Sequence, residues 1–143
     1  MAVLYKTPST PGGYDRCMKI TPVLIVETIE PSLPFWMDRM GFQKTVEVPE
    51  GDRLGFVILA RDGAELMMQT LDSIRKDDPR MAPPAGRGPD LCPLFIEVDD
   101  FADVRRRLEG YPIQMPERKT FYGMREIGVV DPGGHVVVFA ARE

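Results

Sequence analysis

Histidine is almost missing from this chain. Of 143 residues only His135 is one, and tryptophan too occurs once, as Trp36. A lone imidazole has no second histidine to share a metal ion or relay a proton. His135 is therefore read first as a turn residue bonding local backbone, and only second as a catalytic base. Cysteine is scarce as well: Cys17 and Cys92 are too few for a disulfide framework. They read as free thiols of a reducing compartment, so the expectation is a cytoplasmic protein. No apolar run nears the roughly 18 residues of a membrane span, and no basic stretch leads into an apolar run near residue 1. An excess of positive charge is lacking too. The 18 Lys and Arg against 22 Asp and Glu leave a net −4, which argues against a nucleic-acid partner and leaves room for a cationic small molecule.

What is present describes one domain. The chain is 43% hydrophobic and 28% charged, and long enough to bury a core without metals or disulfides. Residues 1–17, with Pro8, Pro11, Gly12 and Gly13, have no periodicity and read as a flexible tail or an upstream start-site artefact. Met18 then opens the domain proper. Residues 19–27 read as a buried strand. A helix follows with Pro31 and Pro34 in its first turn and Leu33, Trp36, Met37 and Met40 on one stripe, and Gly41 stops it. Strands are expected at 42–48, 54–60 and 64–70, the last two joined by the hairpin signal Arg61-Asp62-Gly63. The Pro- and Gly-rich stretch 78–91 reads as a linker between a first module, 18–77, and a second, 92–143. The second module opens with a strand at 92–98. Asp99 or Asp100 then caps a helix that runs to about Leu108 and ends at Gly110. Strands are expected around 112–115, at 123–130, and at 135–141 after Asp131-Pro132-Gly133-Gly134. The run Arg105-Arg106-Arg107 reads as a solvated helix face.

The two halves can be laid on each other. TPVLIV at 21 matches CPLFIE at 92, Gly41-Phe42 matches Gly110-Tyr111, and Asp62-Gly63 matches the turn at 131–134. The expected fold is therefore α+β, two βαβββ modules in tandem whose cup-shaped mixed sheets enclose a shared cavity.

Two stretches, TPVLIVETIEPSLPFWMDRMGF (21–42) and YGMREIGVVDPGGHVVVF (122–139), carry a resemblance to the vicinal oxygen chelate superfamily of glyoxalases, bleomycin resistance proteins and extradiol dioxygenases. The resemblance extends over residues 19–143 and is nearest to the metal-free bleomycin resistance type. Metal enzymes of the superfamily draw ligands from four positions. Carried over residue by residue, these fall on Pro22, Met67, Pro93 and Val138, with Thr21, Met68, Cys92 and Val137 as the neighbouring registers. Proline and valine offer no donor and a thioether suits a hard cation badly, so no metal or other cofactor is expected. His135 lies three residues before the ligand position, and the odd spacing turns it to the opposite strand face.

Without a metal the pocket should be apolar and aromatic with a few polar anchors. Tyr122 occupies the place from which, in bleomycin resistance proteins, an aromatic stacks on the drug, and Phe121 stands beside it. Glu65, Met67 and Gln69 share one strand face, opposite Leu66 and Met68, and would point into the cup. Glu126 is open to three readings, as a cation-binding group, as a partner that orients Arg125, or as a member of a solvated strand pair. Trp36 is either core or the wall of a pocket or dimer seam. The resemblance thus implies a homodimer that sequesters a small, planar or cationic organic ligand, without catalytic residues. The alternative is a lyase or isomerase that uses Glu126, Tyr122 or His135.

Overall fold

The computed structural model describes residues 18–84 and 92–143. The tail at 1–17, with Cys17, and residues 85–91 of the linker lie outside them. Among the described residues, strands β1 (Val23–Val26), β2 (Gln43–Glu50), β3 (Arg53–Arg61) and β4 (Ala64–Thr70) make one sheet, and β5 (Leu94–Glu97), β6 (Met115–Lys119), β7 (Met124–Val130) and β8 (Val136–Arg142) make the other. The sheets run β1-β4-β3-β2 and β5-β8-β7-β6. In each, the first strand lies parallel to the last and the rest are antiparallel. The chain is α+β, two βαβββ modules in tandem.

Local chemistry accounts for most of these elements. Asp62 and Gly63 both take left-handed backbone, at φ 50° and 80°, the two-residue turn whose twist matches a hairpin. Gly41 and Gly110 have φ 78° and 77°, and each ends the helical segment of its module, as a C-terminal cap requires. The first helical segment departs from a regular α-helix. Its opening turn, Glu30–Ser32, is a 3-10 turn, and Pro34–Arg39 widens into a π-helix. Pro34 has no N–H to give and its ring crowds the preceding turn, so the ladder lengthens by one residue and the Met40 N–H reaches Phe35 O at 2.9 Å.

Three further departures follow from short segments. The first strand is shorter than 19–27, although Met67 N still donates to Pro22 O at 2.9 Å. Helix α1 (Leu71–Asp77), which the sequence reading left unassigned, carries a single buried side chain, Ile74, and so has no visible stripe. It begins because the Thr70 hydroxyl accepts from Ser73 N at 3.1 Å, a side-chain cap. Finally, β6 lies at Met115–Lys119 rather than 112–115.

One hydrophobic core serves both modules. Trp36, Met40, Val57, Leu59, Leu66 and Met68 of the first join Val104, Leu108, Val129, Val137 and Phe139 of the second in a single cluster. Each such apolar side chain contributes about 1.5–3 kcal/mol by burial. Helix α2 (Phe101–Arg107) supplies Phe101 and Val104 from one side, with Asp100 capping it by accepting from Asp103 N at 3.0 Å. Polar contacts seal the seam. Arg39 donates Nη1 to Arg107 O at 2.7 Å and to Glu109 O at 2.9 Å, and Arg107 donates Nη1 back to Arg39 O at 3.0 Å. The solvated face expected at 105–107 is thus corrected for Arg107. That side chain turns inward and spends its Nε on Asp103 at 2.8 Å.

Strand alternation leaves each sheet with a second face turned away from this core. On the first sheet Val23, Met67 and Ile58 are in register there, as are Ile25, Gln69 and Phe56. On the second, Phe95 opposes Val138 and Arg118 opposes Glu126. Val23, Val46, Val48 and Phe95 are all exposed. These open faces are where the candidate site lies.

Candidate functional site

Glu126 is the charged group most deeply placed on an open face. It is 2% exposed, and a carboxylate so buried must be paired, because an orphaned one costs several kcal/mol. Its partners come from β6 and the β6–β7 turn. Arg118, directly opposite in the ladder, donates Nε at 3.2 Å and Nη2 at 3.0 Å to Oε2, and the Tyr122 hydroxyl donates to Oε1. Both carboxylate oxygens are therefore engaged. The suggestion that Glu126 orients Arg125 is corrected by the pleat, since adjacent strand residues face opposite sides. Arg125 instead bonds Glu117 Oε1 at 2.8 Å and Glu143 Oε1 at 2.9 Å on the other face.

Tyr122 and Phe121 stand in the turn between β6 and β7. Thr120 N donates to Met124 O at 2.8 Å and Gly123 N to Thr120 O at 3.2 Å, which fixes the turn and lifts both rings to the surface. Phe121 is 100% exposed and Tyr122 51%. They meet edge-on, with centroids 5.0 Å apart and planes at 85°, a favourable aromatic geometry. Hydrogen bonding to the Glu126 carboxylate raises the Tyr122 phenol above its ordinary value, so the phenol stays protonated at neutral pH and makes a poor base.

Met67 and Gln69 lie half-buried on the open face of the other sheet, with Gln69 Nε2 donating to Ser73 Oγ at 3.2 Å. The structure thus brings Tyr122, Phe121 and Glu126 together and sets Met67 and Gln69 apart from them. Glu65 shares the face of Met67 and pairs with Lys19 at 2.8 Å.

Trp36 belongs to neither group, which corrects its reading as a pocket wall. It is 0% exposed, packs edge-on against Phe35 and Phe42, and donates Nε1 to Asp131 Oδ2 at 3.0 Å. That bond joins the helix of one module to the closing hairpin of the other. His135 is buried on the core side and holds the other oxygen of the same carboxylate. Its backbone N donates to Asp131 Oδ1 at 2.8 Å, with Nδ1 3.1 Å from that oxygen. Burial pulls the Asp131 carboxyl upward, but hydrogen bonds from His135 and Trp36 outweigh it and hold the group below its ordinary value.

Two partners of the candidate residues escaped the sequence reading. Arg118 lay outside the strand expected at 112–115, so its pairing was invisible. Asp131 looked like a turn residue, although the Asp-Pro-Gly-Gly turn could have suggested a carboxylate bonding backbone.

The residues at the four metal positions do not fit a divalent cation. Pro22 presents a carbonyl already bonded to Met67 N, and the open-face positions beside Met67 and Val138 are Val23 and Phe95. Among the described residues no three His, Cys, Asp or Glu side chains converge on one point. A cleft of about 740 Å³ opens elsewhere, at the module seam, lined by Pro31, Phe35, Arg39, Arg107 and Tyr111 among others. Of its three arginines, Arg39 and Arg107 are committed to backbone carbonyls across the seam and Arg106 pairs with Asp103. None of Tyr122, Phe121, Glu126, Met67, Gln69 and Trp36 lines it.

No helix among the described residues is long and apolar enough to cross a membrane. Among solved structures, a protein of unknown function from Agrobacterium tumefaciens str. C58 is 20% identical over 91% of this chain and 98% of its own, with a TM-score of 0.71. A glyoxalase/bleomycin resistance protein/dioxygenase from Nocardioides is 21% identical over 95% of this chain and 86% of its own, with a TM-score of 0.64. A lactoylglutathione lyase, also from Agrobacterium tumefaciens, is 17% identical over 87% and 92%, again with a TM-score of 0.64. At such identities these likenesses concern the fold alone. A comparison with curated proteins finds no match. The family model for the glyoxalase/bleomycin resistance protein/dioxygenase superfamily matches residues 14–139, and the chain belongs to that superfamily.

Proposed function

We propose that this protein binds a planar organic molecule on its open sheet faces without a metal and performs no chemistry on it, a drug-sequestering role of the bleomycin resistance type. One observation carries the reading: an exposed aromatic pair, Phe121 and Tyr122, stands beside a fully satisfied buried carboxylate that holds the Tyr122 hydroxyl. The open faces also carry exposed apolar side chains, Val23, Val46, Val48 and Phe95, and flat ligands stack on rings and apolar surface of this kind. In a homodimer the face bearing Tyr122 in one subunit would meet the face bearing Met67 and Gln69 in its partner. Such a groove would also cover the strand edges that each sheet leaves open. An enzyme reading draws no support from the same groups. The phenol of Tyr122 is raised, and His135 is bound to Asp131 on the core side.

A thermal-shift screen with bleomycin, aromatic metabolites and divalent metals tests the proposal, followed by calorimetry on Tyr122→Ala and His135→Ala. Removing one stacking partner costs about 0.5–1.5 kcal/mol beyond lost area, so Tyr122→Ala should weaken binding several-fold to roughly tenfold. His135→Ala should leave affinity alone. The opposite pattern, or turnover that depends on His135, sinks the sequestration reading.

A further inference from the structure

The charge of the ligand can be read from how Glu126 is satisfied, given the reading that this face binds a planar molecule. Glu126 was the natural anchor for a cation, yet Tyr122 and Arg118 occupy both of its oxygens. What faces solvent is the guanidinium that neutralises it. The Arg118 side chain is 56% exposed against 2% for Glu126. A guanidinium carries five N–H groups in a planar fork. Nε and one Nη2 hydrogen are turned to Glu126, and among the described residues Nη1 and the second Nη2 hydrogen meet no protein acceptor. The free edge of the fork, Nη1 with Nη2, can take a carboxylate or phosphate bidentately. The carboxylate behind it removes the freedom that a surface arginine ordinarily has, so little rotamer entropy remains to be lost on binding. The same carboxylate fixes the Tyr122 ring. One buried charge therefore orients both a flat aromatic surface and an oxyanion receptor.

We propose that Arg118 is a specificity residue of this face, and that the ligand is a planar aromatic carrying an oxyanion, which Arg118 receives while Tyr122 takes the ring. Glu126 is a positioning residue and does not touch the ligand. Calorimetry with four matched probes tests this: 2-naphthoate, 2-naphthyl phosphate, neutral 2-naphthamide and cationic 2-naphthylmethylamine. At least one anion should bind about tenfold or more tighter than the amide, with the cation weakest and the anion's advantage shrinking as salt is raised. Whether the carboxylate or the phosphate arm wins identifies the oxyanion.

Arg118→Gln alone strands Glu126 and can unfold the chain, so the informative variant is Arg118→Gln with Glu126→Gln, which keeps net charge and hydrogen-bonding groups. It should bind the anions no more tightly than the amide. Amide and anion binding equally to the wild type, or the cation binding best, overturns the role of Arg118 while the planar groove stands. A double variant that retains the anion preference overturns it too. If none of the four probes binds, the planar-groove reading fails and this inference with it.

Discussion

Replacing Trp36 by phenylalanine tests the join between the two modules. The substitution removes the Nε1 donor, which lies 3.0 Å from Asp131 Oδ2, and keeps a ring to meet Phe35 and Phe42. A buried hydrogen bond to a charged group contributes about 1.5–3 kcal/mol. The lost half of the indole leaves a gap in a core where Trp36 is 0% exposed, costing roughly a further 1–1.5 kcal/mol on the scale of small core deletions. The sum, about 2.5–4.5 kcal/mol, lowers Tm by roughly 8–15 °C in a domain of this size. Urea unfolding should show a lower midpoint at unchanged slope. A double-mutant cycle with Asp131→Asn should give coupling of about 1 kcal/mol or more, since the two groups touch. Because Trp36 lies in the core, the affinity for any ligand found should move less than about twofold. A cost under about 1 kcal/mol, or full additivity with Asp131→Asn, would refute the bridging role. A large loss of affinity in a stably folded Trp36→Phe would return Trp36 to the pocket.

The remaining expectations concern protons, metal and assembly. Glu117, bonded by Arg105 and Arg125, has its carboxyl lowered from an ordinary 4.5 to about 2, and Asp131 is lowered as well. Depressed carboxylates stabilise the fold fully above their unfolded values, so stability should hold at neutral pH and fall from about pH 4.5 toward 2. Asp131→Asn should flatten part of that limb, and a stability flat down to pH 2 contradicts the assignment. The protein should purify without stoichiometric divalent metal, and chelators should leave Tm unchanged, with elemental analysis as the check. One bound equivalent lost together with stability would overturn the metal-free proposal. Light scattering should give twice the 16.1 kDa chain, about 32 kDa, whereas a monomer at micromolar concentration removes the intersubunit groove.

The sequence by itself determined the duplicated architecture, because its signals are local and physical. Alternation assigned Leu66 and Met68 to one face and Met67 and Gln69 to the other, Asp62-Gly63 marked the hairpin, and Gly41 and Gly110 marked matching helix ends. The residue types at Pro22, Met67, Pro93 and Val138 were equally plain, but the register showed that the open-face positions beside Met67 and Val138 are Val23 and Phe95. What tertiary structure decided are relations between residues distant in the chain. Trp36 bonds Asp131 across 95 residues, and no periodicity reports which carboxylate an indole will meet. Glu126 chose Arg118 over the adjacent Arg125 because ladder register, set by a β6 strand whose start the sequence did not reveal, puts Arg118 opposite it. Register couples two segments through backbone hydrogen bonds that carry no side-chain signature, so the charge of the site became visible only in the folded chain.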